Sequence, residues 1–156
     1  MWPKGRVNHV RGIPNHYYLA AGTKTLALSA IEILDCVAEV TQIDKSKILL
    51  MDRQPGARKR DYVTARQVMI NTLVNYKQYT FERAGQYVFR DHATAIHAVR
   101  TIDDLVVADK NFSQYYYNIM KEIHLRDKYK RMKSHYFGKF IETTEGLITS
   151  DHPIFL

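Results

Sequence analysis

The chain has 156 residues, 46% of them hydrophobic, so it can hold one domain of ordinary size with a real core and is not a wholly disordered polypeptide. With 23 Lys and Arg against 16 Asp and Glu, its net charge of +7 favours an anionic partner such as nucleic acid or an acidic membrane surface. The single cysteine, Cys36, excludes an internal disulfide and a Cys-rich zinc site, and no apolar run suits a signal peptide or membrane span, so a soluble cytoplasmic protein is expected.

Residues 1–24 hold two of the four prolines, three of the seven glycines and the cations Lys4, Arg6, Arg11 and Lys24 with no acid. They are expected to form a basic, irregular N-terminal arm. From Thr25 the pattern changes: Leu26, Ile31, Leu34, Val37 and Ala38 fit a helix ending near Thr41, with Cys36 as a small core residue. Glu32, Asp35 and Glu39 share one face of it and look like a solvated acidic stripe. Asp44 is placed to cap a short helix within IDKSKILLM, because its carboxylate accepts from the exposed amides of a helix start. Pro55-Gly56 breaks the chain, and three cations follow, Arg58, Lys59 and Arg60.

A third helix is predicted from about Asp61 to Asn75, with Val63, Val68, Met69, Thr72 and Leu73 inward. After a polar turn, Thr80 can cap a short helix, TFERAGQYV, and Asp91 a longer one in which Ile96, Val99, Ile102 and Val106 recur at helical spacing. A last helix begins between Asp109 and Ser113 and extends to about Tyr136. Seven cations in 121–139 face only Glu122 and Asp127, whereas residues 25–120 are nearly balanced, twelve basic against eleven acidic. The final stretch, with Gly138, Gly146, Pro153, three acids and no cation after Lys139, is read as a tail. The expected organisation is an all-α one: arm 1–24, compact helical domain 25–136, tail 137–156.

A short helix, a turn and a longer helix capped by Asp91 suggest a helix-turn-helix. A duplex major groove accepts one helix, and the first turn of that helix reaches the base edges. Arg90, Asp91, His92, Ala93 and Thr94 stand where such contacts arise. An Asp can accept from cytosine N4, His and Thr can bond several edges, Ala can meet a thymine methyl, and Arg can read guanine or hold a phosphate.

The segments VAEVTQIDKSKIL, RKRDYVTARQVMI and RDHATAIHAVRTI, in this order, resemble the C-terminal DNA-binding domain of the bacterial replication initiator DnaA. That family has a helix, a basic loop, a Pro-Arg-Gln helix, and a recognition motif Gly-Gly-Arg-Asp-His-Thr-Thr-Val-x-His-Ala. Arg66-Gln67 stands for the Arg-Gln, and Arg90-Asp91-His92, Thr94 and His97-Ala98 match the motif directly. The resemblance covers about residues 30–122 and implies a Trp-repressor-like helical fold. It also implies that Asp91, His92, Ala93 and Thr94 face the major groove of double-stranded DNA. Arg58 would enter the adjacent minor groove, where its cation sits between two phosphate rows. Arg60, Arg66, Lys77, Thr80, Arg83 and His97 are further DNA-contact candidates. Val88-Phe89 replace the paired glycines, Ala93 replaces a threonine and Ala65 a proline, so the family's target sequence is not carried over.

The resemblance implies no cofactor and no metal. The chain has no G-x-x-x-x-G-K-[ST] loop, so a stand-alone, non-enzymatic DNA binder without the initiator's ATPase domain is expected. Neither a helical zinc motif nor a nucleophile motif is present. Replication control, transcription regulation and a phage origin all suit such a binder. An alternative is an interaction protein that retains the fold to bind a replication or transcription protein, with Tyr115, Tyr116, Tyr117, Tyr129 and Tyr136 as interface candidates. The basic 121–139 segment suits phosphates, and RNA or an acidic membrane less well. Oligomeric state stays open, although a dimer would strengthen binding by a single helix-turn-helix.

Overall fold

The computed structural model describes residues 25–148; the expected arm, 1–24, and the end of the expected tail, 149–156, lie outside the described residues. Within them the chain is helical and contains no strand. Six helices follow one another: α1 (Ala30–Thr41), α2 (Lys45–Ile48), α3 (Arg60–Asn75), α4 (Phe81–Tyr87), α5 (His92–Ala108) and α6 (Lys110–Ile148).

Side chains that satisfy the orphan amides of a first turn set most of the helix starts. Ser29 and Glu32 form a reciprocal capping box on α1, Asp44 accepts from Ser46 N, Thr80 from Arg83 N and Asp91 from Thr94 N. The three caps expected from sequence are therefore in place. The start of α1 is not where the apolar spacing puts it. Leu26 and Leu28 are buried on a bent, non-helical lead-in whose Leu26 N donates to Tyr76 O at 3.1 Å, while Ile31, expected inside, is 58% exposed.

The core sits around α3, which packs against α1, α2, α4 and α5. Val68, Met69, Ile70 and Leu73 are buried there, and so are the polar Asn71 and Thr72. Asn71 is satisfied by Tyr116 Oη, which donates to its Oδ1 at 2.9 Å, and by Asp103, which accepts from its Nδ2 at 3.2 Å. Val99, Ile102 and Val106 of α5 and Ile119, Met120 and Ile123 of α6 complete the interior. Each such side chain contributes about 1.5–3 kcal/mol by leaving water. Cys36 is fully buried, and burial pushes its thiol up to about 11, as befits an unreactive core residue.

Helix α6 docks along α1 and α5, and it runs beyond the expected end near Tyr136 to Ile148. The α1 carboxylates are not a solvated stripe: Glu32 bonds Lys130 at 2.6 Å, Asp35 bonds Lys45 at 2.6 Å, and Glu39 pairs with Arg126. Two of the three are the electrostatic seam between α1 and α6. Asp127, buried on α6, accepts from Ala27 N at 2.6 Å and Leu28 N at 3.3 Å and pairs with Arg131, so it ties the lead-in to the last helix. Among the described residues no helix is long and apolar enough to cross a membrane.

Candidate nucleic-acid interface

Two surface features are held side by side: the loop between α2 and α3, and the turn that leads from α4 into α5. The loop is a succession of tight turns, Gln54 N to Met51 O, Ala57 N to Gln54 O and Lys59 N to Gly56 O, all within 3.1 Å. Gly56, at φ +80°, supplies the left-handed backbone that one of these turns requires. Arg58 projects from this loop with its side chain 84% exposed, and its only ion pair among the described residues is a loose 3.6 Å contact with Asp52. Arg60 is exposed at the first turn of α3 and lines an open groove of about 680 Å³ together with Lys47, Lys59, Tyr62, Phe112 and Tyr115.

The α4–α5 turn depends on a glycine. Gly85 O accepts from Arg90 N at 2.8 Å, and a Cβ on Gly85 would meet the backbone oxygens of Arg90 and Asp91 at 2.8 Å. Backbone cannot retreat as a flexible side chain can, so the close approach of the two helices requires glycine here. Phe89, where the family pattern has glycine, adopts φ +57°. A bulky residue in that left-handed region stores about 1–2 kcal/mol. Its ring is also 51% exposed.

From this turn α5 presents Asp91, His92, Ala93 and Thr94, all exposed, with His97 one turn further along. Asp91 is committed at one oxygen, since Oδ1 accepts from Thr94 N at 2.7 Å. The Thr94 hydroxyl and backbone amide hold its carboxyl below the ordinary carboxylate value. The His92 ring stands edge-on to Phe81 at 6.0 Å, which fixes its direction from the surface. His97 Nε2 lies 3.4 Å from the Thr101 hydroxyl. Thr80 caps α4, and Arg83 stacks 3.9 Å over the Tyr79 ring.

Three of the sequence-predicted site residues turn their charge elsewhere. Arg66 is 4% exposed and lies inside the molecule; its Nε donates to Ile48 O at 2.8 Å and its Nη1 to Ala57 O at 3.2 Å. Burial lowers its guanidinium to about 10, and neighbouring Arg90 pushes it the same way. Arg90 is half-buried: Nη2 donates to Leu50 O at 3.0 Å and Nη1 to Phe89 O at 2.9 Å. Lys77 Nζ donates to Leu26 O at 3.0 Å. Arg66 thus holds the loop at Ala57, next to Arg58, and Arg90 ties the start of the loop at Leu50 to the α4–α5 turn. An arginine in a helical pattern carries no sign of whether it points out or in, so this pinning role was invisible in sequence. Gly85 did leave a signal, an isolated glycine inside a short helix, which marks a close backbone approach.

A sequence model of the family described as bacterial dnaA protein helix-turn-helix matches residues 31–102. The chain is 37% identical over 73 residues to the chromosomal replication initiator protein DnaA of Flavobacterium psychrophilum, covering 46% of this chain and 15% of the relative. It is 30% identical over 90 residues to the same-named protein of Bacteroides thetaiotaomicron, and 28% over 97 residues to that of Bacteroides fragilis. Those matches cover 57% and 62% of this chain, but only 18% and 19% of the relatives. The chain therefore spans less than a fifth of the length of these relatives. Residues 31–102 form a helix-turn-helix of the bacterial DnaA type, an element that implies DNA binding.

Proposed function

We propose that this protein binds double-stranded DNA sequence-specifically, with the first turn of α5 in the major groove and Arg58 in the adjacent minor groove. The observation that carries this reading is that Arg58 and the 91–94 turn are both exposed, while the bond from Arg90 to Leu50 O ties the turn to the start of the loop that bears Arg58. Base discrimination comes from His92, Thr94, the uncommitted part of Asp91 and the Ala93 methyl. Thr80 and His97 flank the turn as neighbours of the phosphates, and Arg60 adds charge near the loop. Arg66, Arg90 and Lys77 act as scaffold. The relatives are chromosomal replication initiator proteins, which makes replication control the first biological setting to test in a bacterial nucleoid or phage-infected cell, with transcription regulation beside it.

Selection from a random duplex library tests the reading and is expected to return a defined motif. Affinity should fall steeply with salt as phosphate counterions are released. Arg58→Ala should weaken binding to the selected duplex by about tenfold or more, and His92→Ala should change the motif itself. Both variants binding that duplex like the parent would sink the docking face.

A further inference from the structure

Helix α6 carries a second surface, outside the proposed DNA face. Leu125, Tyr129, Met132 and Tyr136 follow at steps of four, three and four, so they form one stripe along the helix. They are 53%, 68%, 46% and 65% exposed, and neighbouring Phe137 is 62% exposed. The stripe lies opposite Ile119, Ile123 and Asp127, which face the body of the domain, and it extends roughly 16 Å. Large apolar side chains spaced for interhelical packing are costly to leave in water.

The margins of the stripe carry one sign of charge. Arg126, Lys130 and Arg131 turn away to Glu39 and Glu122, Glu32, and Asp127. Lys121 and Lys128 remain on one side of the stripe and Lys133 on the other, and none of the three takes part in an ion pair among the described residues. A second copy would bring these cations against one another, which disfavours self-pairing. Duplex DNA would satisfy the lysines but leave the apolar stripe without a partner. We propose that this face of α6 docks an acidic amphipathic helix of another protein, whose apolar residues cover the stripe and whose carboxylates meet Lys121, Lys128 and Lys133.

The probe is a synthetic peptide of about three heptads with Leu at the a and d positions and Glu at the flanking ones, alongside a twin in which Lys replaces Glu. Titrated into the full chain, the Glu peptide should bind, and the Lys peptide should not. Tyr129→Ser combined with Met132→Ser should weaken the Glu peptide by about tenfold or more, because the central contacts of such a face dominate its affinity. The same double variant should bind the selected duplex like the parent, which shows that it is folded and separates this surface from the DNA face. Equal binding of the two peptides, no binding of either, or unchanged binding by the double variant overturns the proposal. So does sedimentation showing a dimer of the chain that the double variant abolishes, or loss of duplex affinity in that variant.

Discussion

The two basic runs of this chain look alike in sequence and behave oppositely in the fold. Around Arg58 the cations stand in a loop with little to neutralise them, held through its backbone by Arg66 and Arg90. Of the six cations between Lys121 and Lys133, three are spent on carboxylates of α1 and of α6 itself. A run of cations is a ligand footprint only where no facing helix offers acids; where one does, the same charges fasten the fold. The loop and the α4–α5 turn are the proposed reading end of the molecule, and α6 is its brace.

The hardest blow to the brace is Asp127→Ala. It strips the acceptor from two backbone amides and from Arg131, and it should cost about 2–4 kcal/mol in urea unfolding while leaving the DNA motif of the folded fraction unchanged. On the reading end, Gly85→Ala should cost about 1–3 kcal/mol, because the new methyl meets backbone oxygen, and duplex affinity should drop with it. Arg58→Ala separates the two regions most cleanly: stability should stay within about 0.5 kcal/mol of the parent although binding weakens. A denaturation midpoint that moved substantially would place Arg58 among the fasteners. Phe89→Gly should stabilise by up to about 1 kcal/mol, since glycine accepts φ +57° without strain, partly offset by greater freedom in the unfolded chain.

The smallest effect is in acid. Lys130, then the Ser29 amide, hold the Glu32 carboxyl at about 2 against an ordinary 4.5. A lowered carboxyl stabilises the fold above pH 4.5, and that contribution disappears as pH falls from 4.5 towards 2. Glu32→Gln should therefore show a shallower loss of stability across that window than the parent, measured as the urea midpoint against pH.

Much of the scaffold was legible because local chemistry decides it. Asp44, Thr80 and Asp91 each precede an apolar-periodic run, and each caps a helix through its own side chain. The helix-turn-helix resemblance was legible for the same local reason, since Arg90-Asp91-His92, Thr94 and His97-Ala98 match the motif within one contiguous stretch. What escaped depends on partners distant in sequence. Glu32 and Glu39 look solvated until α6, about ninety residues later, supplies Lys130 and Arg126. Leu26 scores as helical by spacing, and only the carbonyl of Tyr76 and the carboxylate of Asp127 show why a non-helical lead-in buries it. Arg66 and Arg90 read as contacts in sequence because their charge is visible and their direction is not.

The two arginines grip the loop through the carbonyls of Ile48, Leu50 and Ala57, and through no side chain of it. Arg53 and Arg58 can accordingly change their chemistry without losing their position, whereas Gly56, at φ +80°, and Gln54, whose Oε1 accepts from Met51 N at 2.7 Å, keep the turns themselves. A library randomised at Arg53 and Arg58 on this framework should yield domains with altered minor-groove preferences and an unaltered fold, so these two positions work as an exchangeable cartridge seated in a fixed socket.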